Sequence, residues 1–390
     1  MHIASGNTGS QKQSLVRYDP VKSYLLFLLV PSFLFLSRCI SDFYPVVAEE
    51  KELLVVEAFI TDQPGTDTVK LSKSIPLGRI NEAKPLSDCF VTINDDLGNI
   101  HLLTEQKAGT YITDSATFRG MIGRIYSLHI RTSNGINYES NPTEMKAVPP
   151  IDSIYYEKTV IKEGVGIFFR IDGCQIYLDT HDSSNNCKYY RWDYSETWVL
   201  RLPFFVVNQI CWITEKSRPI NIKSTAAFDE AKIIKHPINF IDNVTDRLKR
   251  KYSILVNQYS ISEEEYNYWQ ELQNIREPSG GLYDVIPASV PSNMTCIENP
   301  EEKVLGYFSV SAKTSKRFFI QGDFKGIIER YDNCVTGTIF GSLPEGLGVS
   351  YWILEDHLDH LVPFWIVTDK KGCADCTVRG SNKRPSYWED

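Results

Sequence analysis

The sequence has no Gly-x-Ser-x-Gly elbow, no glycine-rich phosphate loop and no dinucleotide fingerprint, so it offers no positive sign of catalysis. Carboxylates are plentiful, but no pair is marked by its setting as an acid/base couple. Lys/Arg runs interleaved with aromatics are missing as well. Basic residues are outnumbered, 41 against 49 acidic, for a formal net charge of −8. Taking away residues 1–38 removes four basic side chains and one acidic one and leaves −11. An acidic surface excludes nucleic acid as the main partner, because phosphate binding needs a basic footprint. Internal repeats and low-complexity tracts are also absent.

Long apolar runs are scarce. The single candidate is Tyr24 to Ser37, YLLFLLVPSFLFLS, 14 residues long. A relaxed spanning helix needs roughly 20. The run follows Lys12, Arg17 and Lys22, as the apolar core of a signal peptide does. Leu36-Ser37-Arg38-Cys39 then resembles the lipobox of bacterial lipoproteins, with Arg38 where Gly, Ala or Ser is usual. In such signals the Cys becomes the lipidated N-terminus, so Cys39 is the expected anchor, residues 1–38 the signal and 39–50 the tether. Ser41-Asp42 is similar to short export signals of Bacteroidota lipoproteins. Residues 1–20 make a long polar leader, and a start at Val21 would give a more compact signal. Nothing later is apolar enough to span a bilayer.

What is present favours strands. Aromatics reach 12%, with 21 Tyr, 19 Phe and 7 Trp, and aromatic residues fit pleated, half-buried surfaces. Leu54 to Ile60 reads as a strand closed by Asp62-Gln63-Pro64-Gly65. Cys89, Val91 and Ile93 share one strand face, and Tyr126, Leu128 and Ile130 share another. His129 points away from that second face, towards solvent. The spacing of turns predicts an immunoglobulin-like β-sandwich over 51–148. Ala147-Val148-Pro149-Pro150 is the expected linker, since two prolines without amide donors stop a sheet. A second β domain is expected over 149–390, with a partly helical insertion around 212–300. Within it Ser262-Glu263-Glu264-Glu265 is a capping-box pattern. Tyr266, Trp269, Leu272 and Ile275 recur at helical spacing after it.

Tyr190, Trp192, Tyr194 and Trp198 form an aromatic row. Such a row could stack against sugar rings, but it is also what a sandwich core needs, and core is the reading adopted. Glu355-Asp356-His357-Leu358-Asp359-His360 gathers metal-ligand types. The two His are three apart, not four, so a solvated loop before a strand over 361–367 is expected and no metal or cofactor is assigned.

Eight cysteines follow Cys39, many for a chain meeting an oxidising envelope. Cys174 and Cys187 flank a polar loop whose closure would remove about 3 kcal/mol of unfolded-state entropy, so they are expected to pair. Cys211, Cys334, Cys373 and Cys376 are expected to form two bridges among themselves. Cys373-Ala374-Asp375-Cys376 lies in a turn-rich tail without a second ligand pair nearby, which disfavours zinc and redox roles. Cys89 is expected as a buried free thiol and Cys296 as unpaired.

Several segments together resemble a family of Bacteroidota lipoproteins known as domain of unknown function 4249. They are Leu54-Val55-Val56-Glu57, Ala147 to Tyr155, Cys211-Trp212, Tyr252 to Val256, Glu265 to Trp269, Val304 to Phe308, Cys373 to Cys376 and Pro385 to Trp388. The resemblance implies an outer-membrane or surface lipoprotein, often encoded beside a TonB-dependent transporter and without an agreed activity. The expected function is therefore a non-catalytic module that captures a small-molecule, glycan or peptide ligand, or serves as accessory subunit of such a β-barrel. A structural or assembly component of the envelope is the alternative, and a secreted hydrolase the least favoured reading.

Overall fold

The computed structural model describes residues 52–74, 84–163, 169–242, 245–276, 290–321, 324, 334, 336–342 and 352–389. The signal run, Cys39 and the tether lie outside them. Among the described residues no helix is long and apolar enough to cross a membrane. The chain is mainly β, as its aromatic and turn content predicts.

Two sheets enclose the first core. One runs in the order Leu305–Ser311, Leu54–Thr61, Thr68–Lys73, Thr110–Ile112, Thr104–Lys107. The other runs Met294–Cys296, Asn137–Ser140, Ile125–Arg131, Phe90–Asp95, Ile100–Leu102. Period-2 patterning builds both: Val56, Ile60, Val91, Ile93, Leu128 and Ile130 are buried between the sheets. His129 stands on the outer face beside Glu139, as its strand parity requires.

The second core lies between two more sheets. Ile151–Glu163, Phe169–Asp182 and Ala231–Asp242 form one. Ile210–Lys216, Tyr189–Arg201, Lys251–Ser260 and Lys313–Gln321 form the other. A small fifth sheet, Thr336–Phe340, Phe364–Thr368 and Trp352–His357, carries the C-terminal region. The tail then crosses the second core's outer face, where the Tyr387 hydroxyl meets Thr197 Oγ1 at 2.9 Å and Arg317 lies 3.5 Å over the Tyr387 ring.

Three differences from the sequence reading stand out. The first sandwich is not contained in 51–148, because Met294–Cys296 and Leu305–Ser311 each complete one of its sheets. Leu54–Thr61 and Leu305–Ser311 pair in parallel, and a parallel pair needs a long crossover, with no local turn to reveal it. The pairing depends on Gly306, whose φ is +85° and whose place for a Cβ lies 2.0 Å from the Val56 carbonyl oxygen. Second, residues 212–260 are not an insertion but strands of the second sandwich. The helical part is Glu263–Arg276, opened by the Ser262 hydroxyl accepting from the Glu265 amide at 3.0 Å. Third, Glu355, Asp356 and His357 belong to the strand Trp352–His357, and the turn begins at Leu358. Buried Leu354 anchors that strand.

At Ala312 the chain passes from one core to the other. The residues before it pair with Leu54–Thr61 and those after it with Lys251–Ser260. It is fully buried, and its carbonyl accepts from the Ser260 amide at 3.3 Å.

Candidate functional site

Alternation along Tyr189–Arg201 splits its side chains between two environments. Tyr190, Trp192, Tyr194 and Trp198 are all buried in the second core. Each polar tip has a partner, as buried Tyr and Trp require. The Tyr190 hydroxyl donates to the Cys187 carbonyl at 3.0 Å and Trp192 Nε1 to Gln258 Oε1 at 2.8 Å. The Tyr194 hydroxyl reaches Asn239 Oδ1 at 2.8 Å and Trp198 Nε1 reaches Asp246 Oδ1 at 3.0 Å. The row is core, and none of it is available to a ligand.

Arg191 and Asp193 point the other way, towards the helix and the paired strands Leu54–Thr61 and Leu305–Ser311. There they border a cleft of about 410 Å³. Three rings surround the Arg191 guanidinium: Tyr259 at 4.6 Å, Phe59 at 5.1 Å and Trp269 at 5.1 Å to their centroids. Tyr268 packs on Tyr307 at 4.8 Å to continue the aromatic wall. Asp193 accepts from the Tyr259 hydroxyl at 2.9 Å and from Asn257 Nδ2 at 2.6 Å, which fixes that ring.

Behind the arginine sits Glu265, wholly buried. The capping-box expectation was that its side chain would reach back to the start of the helix. Instead its Oε1 accepts from Trp269 Nε1 at 3.0 Å and from the Ser309 hydroxyl. The pairing with Ser309 is possible because the strand Leu305–Ser311 lies beside the helix. Burial raises the Glu265 pKa, and Arg191 offsets only part of that rise. The nearest approach of Arg191 Nε to this carboxylate is 4.0 Å, beyond hydrogen-bond range.

Arg191 Nε and Glu265 Oε2 are buried here without a protein partner. A buried donor or acceptor left unpaired costs about 1–3 kcal/mol, so this pair is less fully bonded than a structural core pair normally is. Burial pushes the Tyr268 hydroxyl up to about 12, so it stays a neutral donor at the cleft wall.

A second concavity, about 360 Å³, surrounds Glu196 and Arg247. Its Glu196–Arg247 pair is closed by protein partners. Glu196 accepts from Arg247 Nε at 3.1 Å, the Tyr252 hydroxyl at 2.9 Å and Asn239 Nδ2 at 3.3 Å. Arg247 also reaches Glu215 at 2.7 Å and covers the Trp198 ring at 4.8 Å. This network stiffens the second core.

The cysteines divide into bridged and free. Cys211 joins Cys376, and Cys334 joins Cys373, the two bridges expected among those four residues. Cys174 and Cys187 do not pair; both are buried free thiols. Cys174 lies eight residues before Asp182 on its strand, roughly 26 Å from the loop, whereas a bridge needs Cα atoms within about 7 Å. The loop is closed instead by Asp182, whose carboxylate accepts from the amides of Ser184, Asn186 and Cys187. Burial pushes the Cys174 thiol up to about 12. Cys296 is a buried free thiol, and Cys89 is free but only half-buried, since it lies just before its strand begins. Among the described residues no cluster of His, Cys, Asp or Glu is arranged to hold a metal.

The family described as domain of unknown function (DUF4249) matches residues 40–317, more than half of the chain. The chain belongs to that family. The matched span includes Arg191, Glu265, Trp269, Tyr307 and Ser309, so the cleft lies inside the family's domain. Cys334, Cys373 and Cys376 fall after it, although the resemblance in sequence had included the last two. No curated protein matches the chain.

Proposed function

We propose that this protein is a non-catalytic, extracytoplasmic lipoprotein, anchored through Cys39, that captures a small ligand in the Arg191 cleft for a TonB-dependent β-barrel transporter. One observation carries the capture reading: the Arg191 guanidinium, ringed by Phe59, Tyr259 and Trp269 and not hydrogen-bonded to Glu265, in the wall of an aromatic concavity. Such a surface suits a ligand with one acceptor oxygen and one flat or apolar face, as in a sugar ring or a short peptide. Two disulfides favour an oxidising compartment. The anchor rests on the lipobox-like sequence, and the barrel partner rests on what the family resemblance implies.

The test has two arms. Trp269 fluorescence is titrated with a panel of oligosaccharides and short peptides, using wild type and Arg191→Ala. A saturable change in wild type that the variant lacks supports capture; no change with any member of the panel removes it. Separately, Cys39→Ala should move the protein out of the membrane fraction, and wild type in mild detergent should bring down a β-barrel protein. Retention of the variant in the membrane removes the anchor, and pull-downs without a barrel remove the partner.

A further inference from the structure

A groove of about 610 Å³ lies beside the fifth sheet. All six residues of the strand Trp352–His357 line it. Successive side chains of a strand point to opposite faces, so a groove touched by every residue runs along the strand's edge. Trp352–His357 bonds Phe364–Thr368 on one side, and no described strand pairs with its other edge. The opposite wall is the segment 205–208, from which Phe205 and Val207 project almost fully into solvent, 85% and 101% exposed. Exposed edges invite strand addition. The charged side chains on this strand, Glu355 and Asp356, are both acidic, so a basic segment is the one it fits.

The charges are one-sided. Glu355, Asp356 and Asp375 line the groove, with no lysine or arginine among its described lining residues. The walls are also fixed in advance. Asn208 Nδ2 donates to Asp375 Oδ1 at 3.0 Å, and the Cys376 amide donates to the Asn208 carbonyl at 3.1 Å. The bridges Cys211–Cys376 and Cys334–Cys373 tie both ends of that wall to the rest of the chain. A groove held open in this way loses little freedom when it is filled.

We propose that the outer edge of Trp352–His357, which no described strand pairs, is a docking site for an extended protein segment that alternates basic and apolar residues and adds to the fifth sheet as a strand. Its backbone would bond the open edge, its apolar side chains would cover Phe205, Val207 and Ile353, and its basic ones would meet Glu355, Asp356 and Asp375. This site is separate from the Arg191 cleft and does not rest on the function proposed for it.

The probe is the blocked hexapeptide Lys-Val-Lys-Val-Lys-Val, added to the full chain in mild detergent. Calorimetry gives its affinity, and hydrogen exchange reports each amide. Saturable binding with slowed exchange confined to residues 352–357 is the expected result. A Glu-Val counterpart, and a Lys-Val peptide N-methylated at alternate residues, should each bind about tenfold more weakly or not at all. Asp356→Lys, a change at an exposed position, should weaken the Lys-Val peptide by about tenfold while exchange elsewhere stays as in wild type. Absence of binding, equal binding of the N-methylated peptide, or protection that spares 352–357 would each overturn the proposal.

Discussion

Two arginine–glutamate pairs lie in buried parts of this protein, and they are built in opposite ways. Arg247 and Glu196 touch at 3.1 Å, and Tyr252, Asn239 and Glu215 complete the network around them. Arg191 and Glu265 stay 4.0 Å apart, with Arg191 Nε and Glu265 Oε2 unpaired. Both arginines are stacked on aromatic rings, so stacking alone does not separate them. The difference is where the hydrogen bonds end: one set closes on protein and the other stops at a cleft. A closed network stabilises a core, while an open one keeps capacity for a ligand.

Breaking the closed pair should have the largest effect. Arg247→Ala strands Glu196 as a buried anion and should cost about 3 kcal/mol, the low end for such a pair because Arg247 is partly exposed. Urea unfolding measures this, and a loss under about 1 kcal/mol would mean that the network is not structural.

A carboxylate without any arginine sharpens the comparison. Asp67 accepts from Thr61, and burial raises its pKa from 3.8 to about 7. Below 3.8 both folded and unfolded forms are protonated. Between 3.8 and about 7 the unfolded chain has released its proton and the folded chain retains it, so stability falls as pH rises through that window. The decline is at most about 1.4 kcal/mol per pH unit, and Asp67→Asn should flatten it. Unfolding curves taken across this pH range, with equal slopes in the two proteins, would contradict the assignment.

Arg191→Ala should cost less than Arg247→Ala, on the order of 1–2 kcal/mol, despite three ring contacts. Its partner Glu265 has a raised pKa and can hold a proton, so the change leaves a neutral acid and not a stranded charge. Equal losses in the two variants would erase the distinction drawn between the pairs. The smallest effect belongs to Glu265→Gln. The native glutamic acid loses stability as pH rises above 4.5, by the same sign argument as Asp67, and glutamine has no proton to lose. Thermal melts of Glu265→Gln should therefore vary less with pH than wild type over the carboxylate range. A steeper dependence in the variant would count against the raised pKa.

Local pattern made the strands, the helix start and the four bridging cysteines legible, because each is written in neighbouring residues. The capping hydroxyl of Ser262 and the burial of Trp192 both follow from spacing alone. The cleft was not legible. Arg191 carries no signal in the sequence beyond its place between two aromatic residues, and Glu265 reads only as a helix-start residue. Their meeting depends on Leu305–Ser311 pairing with Leu54–Thr61 across about 250 residues, a parallel contact that leaves no turn in the sequence. One signal was available: Gly306, between Leu305 and Tyr307 in an otherwise apolar and aromatic strand, marks a close backbone approach. The Cys174–Cys187 pairing failed for the complementary reason. Sequence distance measures loop length, but not how far along a strand each sulfur is carried.

The passage of the chain through Ala312 also sets an order of assembly. The stretch 305–321 comes late in the chain, yet it supplies an edge strand to the first sandwich and another to the second. Until it is in place, Leu54–Thr61 and Lys251–Ser260 each keep a bare side, and both half-built sheets are open to wrong partners. One short strand pair is thus the closing stitch for both cores.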